Sequence, residues 1–285
     1  MRVKSKKKLA TDILFYAVLI IFSLILLLPF ISLLSASFKT FEQVLLEPAS
    51  LLPKPFVFDN YGIVIKEQNY IHGLGISLMI SSVTTLGTVL SSAFVAYAFS
   101  RFSVKEKEAI FSILMMGVMI PGQVLQISMY ALYVKINWIN TFLPLILPAF
   151  LGGGILNVFL IRQFFTGVPK SLFEAAEIDG GNELRIFATV AIPLSAPILL
   201  TVGLFTFVGA WNDFMGPLLY LGGKEELYPL ALLMYNMNSR LKIGDAKQWN
   251  IISAANVLMM LPTIILYGFM QKYFQEGIAV SGLKD

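Results

Sequence analysis

Side chains able to do chemistry are scarce in this 285-residue chain. It has one histidine, His72, and no cysteine. A histidine metal cluster, a thiolate metal site, thiol catalysis and a disulfide scaffold are therefore all excluded, and no redox compartment can be inferred. No GxxxxGK[ST] phosphate loop occurs, so the chain is not expected to hydrolyse ATP by itself. Two sets of polar residues remain. The first is the run LFEAAEIDGG at 172–181, with Glu174 and Asp179 ahead of paired glycines. This pattern suits a compact surface contact. The second comprises Gln123, Gln126, Asn157, Asn212 and Asp213, which lie within or beside long apolar runs. Such residues either line a polar path for a solute or hydrogen-bond neighbouring helices.

The elements that position these residues follow from the charge pattern. Charged residues make up 13% of the chain and the mean hydropathy is +0.77, whereas an ordinary soluble domain is about 25% charged. No Asp, Glu, Lys or Arg occurs in 13–38, 68–100, 109–134, 136–161, 186–212 or 248–271. A helix needs about 20 apolar residues to cross the hydrocarbon core, and a barrel strand only about ten. The chain therefore reads as an all-α membrane protein with six transmembrane helices at 13–35, 74–98, 109–131, 141–162, 194–220 and 251–271. The first run is too long for the core of a cleavable signal peptide.

Six spans place both termini on one side. Thirteen of the 21 Lys and Arg fall on that side, five of them in the opening MRVKSKKK. Basic residues are retained in the cytoplasm, so both termini are expected there. Topology accounts for the net charge of +4 without a nucleic-acid partner. The resulting organisation is a cytoplasmic arm (1–12), a first helix (13–35), an external loop (36–73), a five-helix core (74–271) and a cytoplasmic tail (272–285). The core includes a cytoplasmic loop at 162–193 and an external loop at 221–250.

The external segment 36–73 holds Pro48, Pro53 and Pro55 and is too long for a hairpin and too proline-rich for one helix. Segment 221–250 interleaves Tyr228, Tyr235, Asn236 and Trp249. It reads either as an interfacial aromatic belt or as a docking surface for an external partner. In 162–193, Ser171 and Glu174 form a capping-box pattern, Asp179-Gly180-Gly181 ends that helix, and Asn182 caps a second one. Leu184, Ile186, Phe187 and Val190 are expected to form the second helix's apolar stripe. Two short helices at a glycine elbow make a projection suited to docking a cytoplasmic protein.

In depth, Asp213 lies about 29 Å along a helix from Leu194, which favours interfacial capping or gate lining over proton coupling. Gly152-Gly153-Gly154, Pro121, Pro144 and Pro148 interrupt the third and fourth spans, as breaks in transporter helices do.

Glu174-Ala175-Ala176, Asp179-Gly180, Ile192-Pro193 and Pro197 together resemble the EAA motif of membrane subunits of bacterial ATP-binding-cassette importers. The pattern fixes these eight positions within 174–197, between the fourth and fifth spans. Gly181 stands where the family often has alanine. GAWNDFMGPLLYL at 209–221 and QKYFQEGIAVSGLKD at 271–285 are similar to the carbohydrate-uptake branch, and above all to the smaller membrane subunit of maltose-type systems.

The resemblance implies a type I importer permease fold in the bacterial plasma (inner) membrane. It implies four kinds of partner besides lipid: a second homologous permease subunit, an ATPase dimer, an extracellular solute-binding protein and a carbohydrate. This chain would bind no cofactor, because ATP and Mg belong to the ATPases. Glu174, Ala175, Ala176, Asp179, Gly180, Leu184, Arg185, Phe187 and Pro193 would dock the ATPase, with Glu174 meeting a basic residue there. Glu276, Gly277 and Gly282 in the tail would reach the ATPase interface. Tyr228, Tyr235, Asn236 and Trp249 would face the binding protein. The alternatives are an importer subunit for a peptide, polyamine or anion, a membrane-embedded enzyme, and a self-sufficient channel or carrier.

Overall fold

The computed structural model describes residues 6–67 and 69–281. Those residues are overwhelmingly helical and divide into two compact units. One comprises the chain up to Tyr70 together with Met234–Leu261, and the other comprises Ile71–Leu233 with the chain from Pro262.

In the first unit, α1 (Lys6–Ser37) contains an apolar stretch, Thr11–Ser37, none of whose most hydropathic window is buried within the chain. A helix that is apolar all round and unburied needs lipid or another apolar helix about it. The segment that follows is folded. It carries α2 (Phe41–Leu46), capped by the Thr40 hydroxyl accepting from Gln43 N at 3.1 Å, and α3 (Asp59–Glu67). Its proline-rich stretch is held by polar side chains that satisfy backbone groups. Gln43 donates to Leu52 O and accepts from Lys54 N, while Asn60 donates to the carbonyls of Ser37 and Lys39, both at 2.9 Å. Asn250 donates in turn to Asn60. Phe38 packs against Phe56, Phe58 and Tyr61.

The second unit is organised around α4 (Tyr70–Arg101), an unbroken helix of 32 residues. The expected third span, 109–131, is instead two helices, α5 (Lys107–Met116) and α6 (Gly122–Lys135), bent by 96° at Ile120-Pro121. Proline has no N–H and holds the preceding residue extended, and Ile120 takes φ −82°, ψ 117°. The fourth span is also interrupted. Short α7 (Leu143–Ile146) and a 3₁₀ turn precede Gly152-Gly153-Gly154, all at positive φ, before α8 (Ile155–Thr166).

α9 (Lys170–Ile178), α10 (Glu183–Ile186), a π-helical turn and α11 (Ile192–Leu194) lead into α12 (Ala196–Trp211). The fifth span ends at Trp211 rather than 220, because α13 (Met215–Tyr220) is a separate short helix. Next come α14 (Leu230–Arg240) and a two-residue-strand hairpin, β1 (Lys242–Ile243) with β2 (Ala246–Lys247), which the all-α expectation lacked. The last helix, α15 (Trp249–Ser281), runs ten residues past the expected span end.

The core of the second unit lies where α4, α8, α9 and the π turn meet, around Ala93, Ala96, Tyr97, Ile161, Phe165, Phe173 and Ile186. Close packing of the irregular 143–154 segment on α4 depends on Gly153. A Cβ there would overlap the Thr88 carbonyl and stand 2.8 Å from Ser92 Cβ. Gly153→Ala is accordingly expected to lower the thermal midpoint of the detergent-solubilised protein, since positive φ alone costs about 1–3 kcal/mol in a residue with a side chain. Gly75→Ala, in open space on α4, should leave the midpoint unchanged or raise it. Equal midpoints would contradict the close approach.

Candidate functional site

The α9–α10 elbow is built from the residues read as its signals, with one exception. The Ser171–Glu174 capping box does not form. α9 starts at Lys170, two residues earlier than the box requires, with Pro169 (φ −57°) at the N-cap position and no side-chain cap. Proline's fixed φ sets the entry into the helix in place of a hydroxyl. The C-terminus closes as expected. Gly180 (φ +79°) donates to Glu177 O and Gly181 donates to Ala176 O at 3.0 Å, the bond pair of a Schellman turn. Gly181 is needed as well, since a Cβ there would stand 2.7 Å from Ala176 O. Asn182 Oδ1 accepts from Arg185 N at 2.9 Å and starts α10.

The 3.6-residue period sorts the faces of α9. Phe173 (7% exposed) and half-buried Ala176 turn inward, while Glu174, Ala175 and Ile178 (87% exposed) share the outer face. Asp179, Gly180, Arg185 and Pro193 are exposed too. The expected stripe on the second helix divides. Ile186 is buried and Phe187 packs against Tyr97 and Phe94 at 5.2 and 5.7 Å, whereas Leu184 is 67% exposed. Leu184 therefore belongs to the outer surface with Ile178, and Phe187 is committed to the core of its own chain. The result is a rigid, solvent-facing knuckle with a mixed apolar and acidic outer face.

Residues that were not anticipated hold this knuckle. Arg101, at the end of α4, forms an ion pair with Glu177 and stands 3.4 Å from Glu183. The Tyr97 hydroxyl donates to Glu183 Oε2 at 2.6 Å, and the Arg101 guanidinium lies over the Phe173 ring at 5.8 Å. Nearby, Arg162 of α8 binds Glu108 of α5 at 2.5 Å and covers Phe111 at 4.1 Å. The available signal was the charge of Arg101 and Arg162 at the very ends of apolar runs, matched by acids in the neighbouring loops.

The polar residues of the spans are carried by three different parts of the chain. Gln123 and Gln126 lie on α6, Asn157 donates to Gly153 O at 2.8 Å, and Asn212 donates to Val208 O at 2.9 Å. The two asparagines thus satisfy local carbonyls. Asp213 occupies the turn between α12 and α13, where it accepts from Gly216 N at 3.1 Å, in keeping with the expected capping role. It also lines a cavity of about 250 Å³ with Ser77, Thr84 and Thr206; there the Ser77 hydroxyl accepts from Leu230 N and the Thr84 hydroxyl donates to Leu145 O.

The four residues expected to face an external partner divide between the units. Tyr228, in the second, accepts from Gly223 N at 3.3 Å. Tyr235, Asn236 and Trp249 belong to the first, where Lys247 covers the exposed Trp249 ring at 5.3 Å. Glu276 and Gly277 lie within the helical range of α15, and Gly282 is outside the described residues. Among the described residues, no group of three or more His, Asp or Glu could hold a metal ion.

Comparison with known proteins accords with this architecture. Residues 89–280 match the model of the binding-protein-dependent transport system inner membrane component family. The arabinooligosaccharides transport system permease protein AraQ of Halalkalibacterium halodurans is 30% identical over 260 residues, 90% of each chain. The trehalose/maltose transport system permease protein MalG of Thermococcus litoralis is 29% identical over 269 residues, covering 93% of this chain and 94% of its own. A chain from a bacterial ABC transporter involved in the import of the acidic polysaccharide alginate shares the fold. Its TM-score is 0.84 at 22% identity, with 96% of this chain and 100% of that one covered. With its spans, its elbow between the fourth and fifth of them and these relatives, the chain belongs to the family of binding-protein-dependent transport system inner membrane components.

Proposed function

We propose that this chain is the carbohydrate-translocating permease subunit of an ATP-binding-cassette importer, paired with a second, homologous permease subunit. A solute-binding protein outside delivers the sugar, and two ATPase subunits inside drive alternating access. The chain performs no catalysis and binds no cofactor of its own; ATP and Mg are held by the ATPases. Both termini lie in the cytoplasm. The carbohydrate reading draws on AraQ and MalG, whose names specify arabinooligosaccharides and trehalose/maltose.

The observation that carries the proposal is the capped, clamped elbow with its apolar outer residues Ile178 and Leu184 in solvent. An exposed leucine and isoleucine on a rigid projection are a surface awaiting a partner. A rigid contact is also what converts closure of an ATPase dimer into helix movement. Glu174, Ala175, Asp179, Gly180, Arg185 and Pro193 surround that surface, Ala176 backs it, and Phe187 holds it from within. A self-sufficient channel or carrier has no use for such a projection.

Purification in mild detergent should recover an ATPase and a second permease subunit with this chain; recovery of the chain alone would overturn the proposal. Glu174→Lys should reduce uptake at least about tenfold with normal insertion, because a misplaced interfacial charge costs several kcal/mol. Undiminished uptake would remove Glu174 from the docking surface. Tags at both termini should resist protease added to intact cells, and cleavage of both would invert the topology. Removing 276–285 should change ATP hydrolysis or assembly more than the apparent affinity for sugar, and an unaltered complex would rule out a role for the tail.

A further inference from the structure

The docking elbow turns at a glycine pair. Gly180, at φ +79°, and Gly181 separate α9 from α10, and both N–H groups bond back to α9, so this turn sets the angle at which α10 leaves it. Two acids flank the turn, Glu177 on α9 and Glu183 following Asn182 at the start of α10. Both converge on α4. Arg101 pairs with Glu177 and reaches Glu183 at 3.4 Å, and Tyr97, one helical turn earlier, donates to Glu183 at 2.6 Å. The Arg101 side chain is only 20% exposed, whereas Glu177 and Glu183 are 45% and 40% exposed, so the acids reach in from the surface to a half-sheltered guanidinium. A guanidinium is also a planar fork with donors for two carboxylates, a geometry that a lysine ammonium lacks.

The clamp is backed by packing. The Tyr97 ring lies 5.2 Å from Phe187, 6.0 Å from Phe165 and 6.2 Å from Phe173. α4 is thus fastened on both sides of the glycine turn. It then runs unbroken through 32 residues, or about 48 Å at 1.5 Å per residue. Its far half supplies Ser77, Ile80 and Thr84 to the cavity that Asp213 also lines. No proline interrupts it, which removes one of the usual causes of a kink.

We propose that Arg101 and Tyr97 are positioning residues that lock the elbow to α4, so that movement of the elbow becomes movement of α4 and reaches the cavity that Asp213 lines. This rests on the reading of the elbow as the ATPase-docking surface. Neither residue touches the ATPase or the solute. They act by tying both arms of the Gly180-Gly181 turn to α4, adding charge pairing and a hydrogen bond to the aromatic packing.

The absence of cysteine makes the test direct. Lys170→Cys at the start of α9 and Ile71→Cys at the far end of α4 would carry spin labels, in the complex as purified with its ATPase. The distance between them is measured without nucleotide and after trapping with Mg-ATP and vanadate. With Arg101 and Tyr97 present, one distance population should persist unchanged through trapping. Arg101→Gln should retain ATP hydrolysis yet acquire a shifted or second population on trapping. Arg101→Lys should give a smaller shift, and Tyr97→Phe, which keeps the ring and loses only the hydroxyl, a broadening of the same kind. A shift in the unaltered chain, or constancy in both Arg101→Gln and Tyr97→Phe, would overturn the proposal. If the purified complex shows no vanadate-sensitive ATP hydrolysis, the docking reading fails first and this one with it.

Discussion

Hydrocarbon offers a peptide group no hydrogen-bond partner, and the architecture follows from that constraint. Backbone inside the bilayer must satisfy itself, which regular helices do. Where this chain departs from regular helix, its own side chains supply the missing partners. Around the 143–154 break, Thr84 donates to Leu145 O and Ser91 shares its proton between the carbonyls of Gly87 and Ala149. Asn157 donates to Gly153 O. The hydroxyls of α4 therefore make the broken fourth span tolerable. In the first unit Gln43 and Asn60 do the same for the proline-rich segment.

The same economy explains where charge is spent. Arginines appear at helix ends facing acids of the next element, as in Arg101 with Glu177 and Glu183 and Arg162 with Glu108. Both guanidiniums also cover a phenylalanine ring, so each joins a polar layer to an apolar one. The clamped elbow is a solid part, while its outer face remains open and partly apolar. The docking role proposed for the elbow calls for both properties, rigidity where it is held and complementarity where it is touched.

The polar residues of the spans show how position decides role. Asn157 and Asn212 could by type line a solute path, yet each amide turns back to a carbonyl four residues earlier. Asp213 combines both readings, capping a short helix with one oxygen and lining a cavity with Ser77, Thr84 and Thr206. An isolated asparagine in an apolar run carries no mark that separates these outcomes, because the nearest free carbonyl is a property of the bend and not of the residue type.

Composition and the charge-free runs by themselves determined the membrane class, the number of apolar segments and the interruption at Pro121 and Gly152-Gly153-Gly154. Local chemistry was enough for the glycine turn and the second cap of the elbow, since a glycine at positive φ and an asparagine cap act within a few residues of themselves, but not for the start of α9, which Pro169 sets in place of Ser171. Tertiary structure alone decided the rest. The sharp 96° bend at Ile120-Pro121, the end of the fifth helix at Trp211 and the inward turn of Phe187 beside an outward Leu184 depend on which neighbours arrive. So does the pairing of Arg101 with acids 76 and 82 positions away. Periodicity reports that a helix has an apolar face, but a four-residue helix such as α10 is too short to define one, and long-range ion pairs leave no local pattern. Their partners are chosen by packing, and packing exists only once the chain has folded.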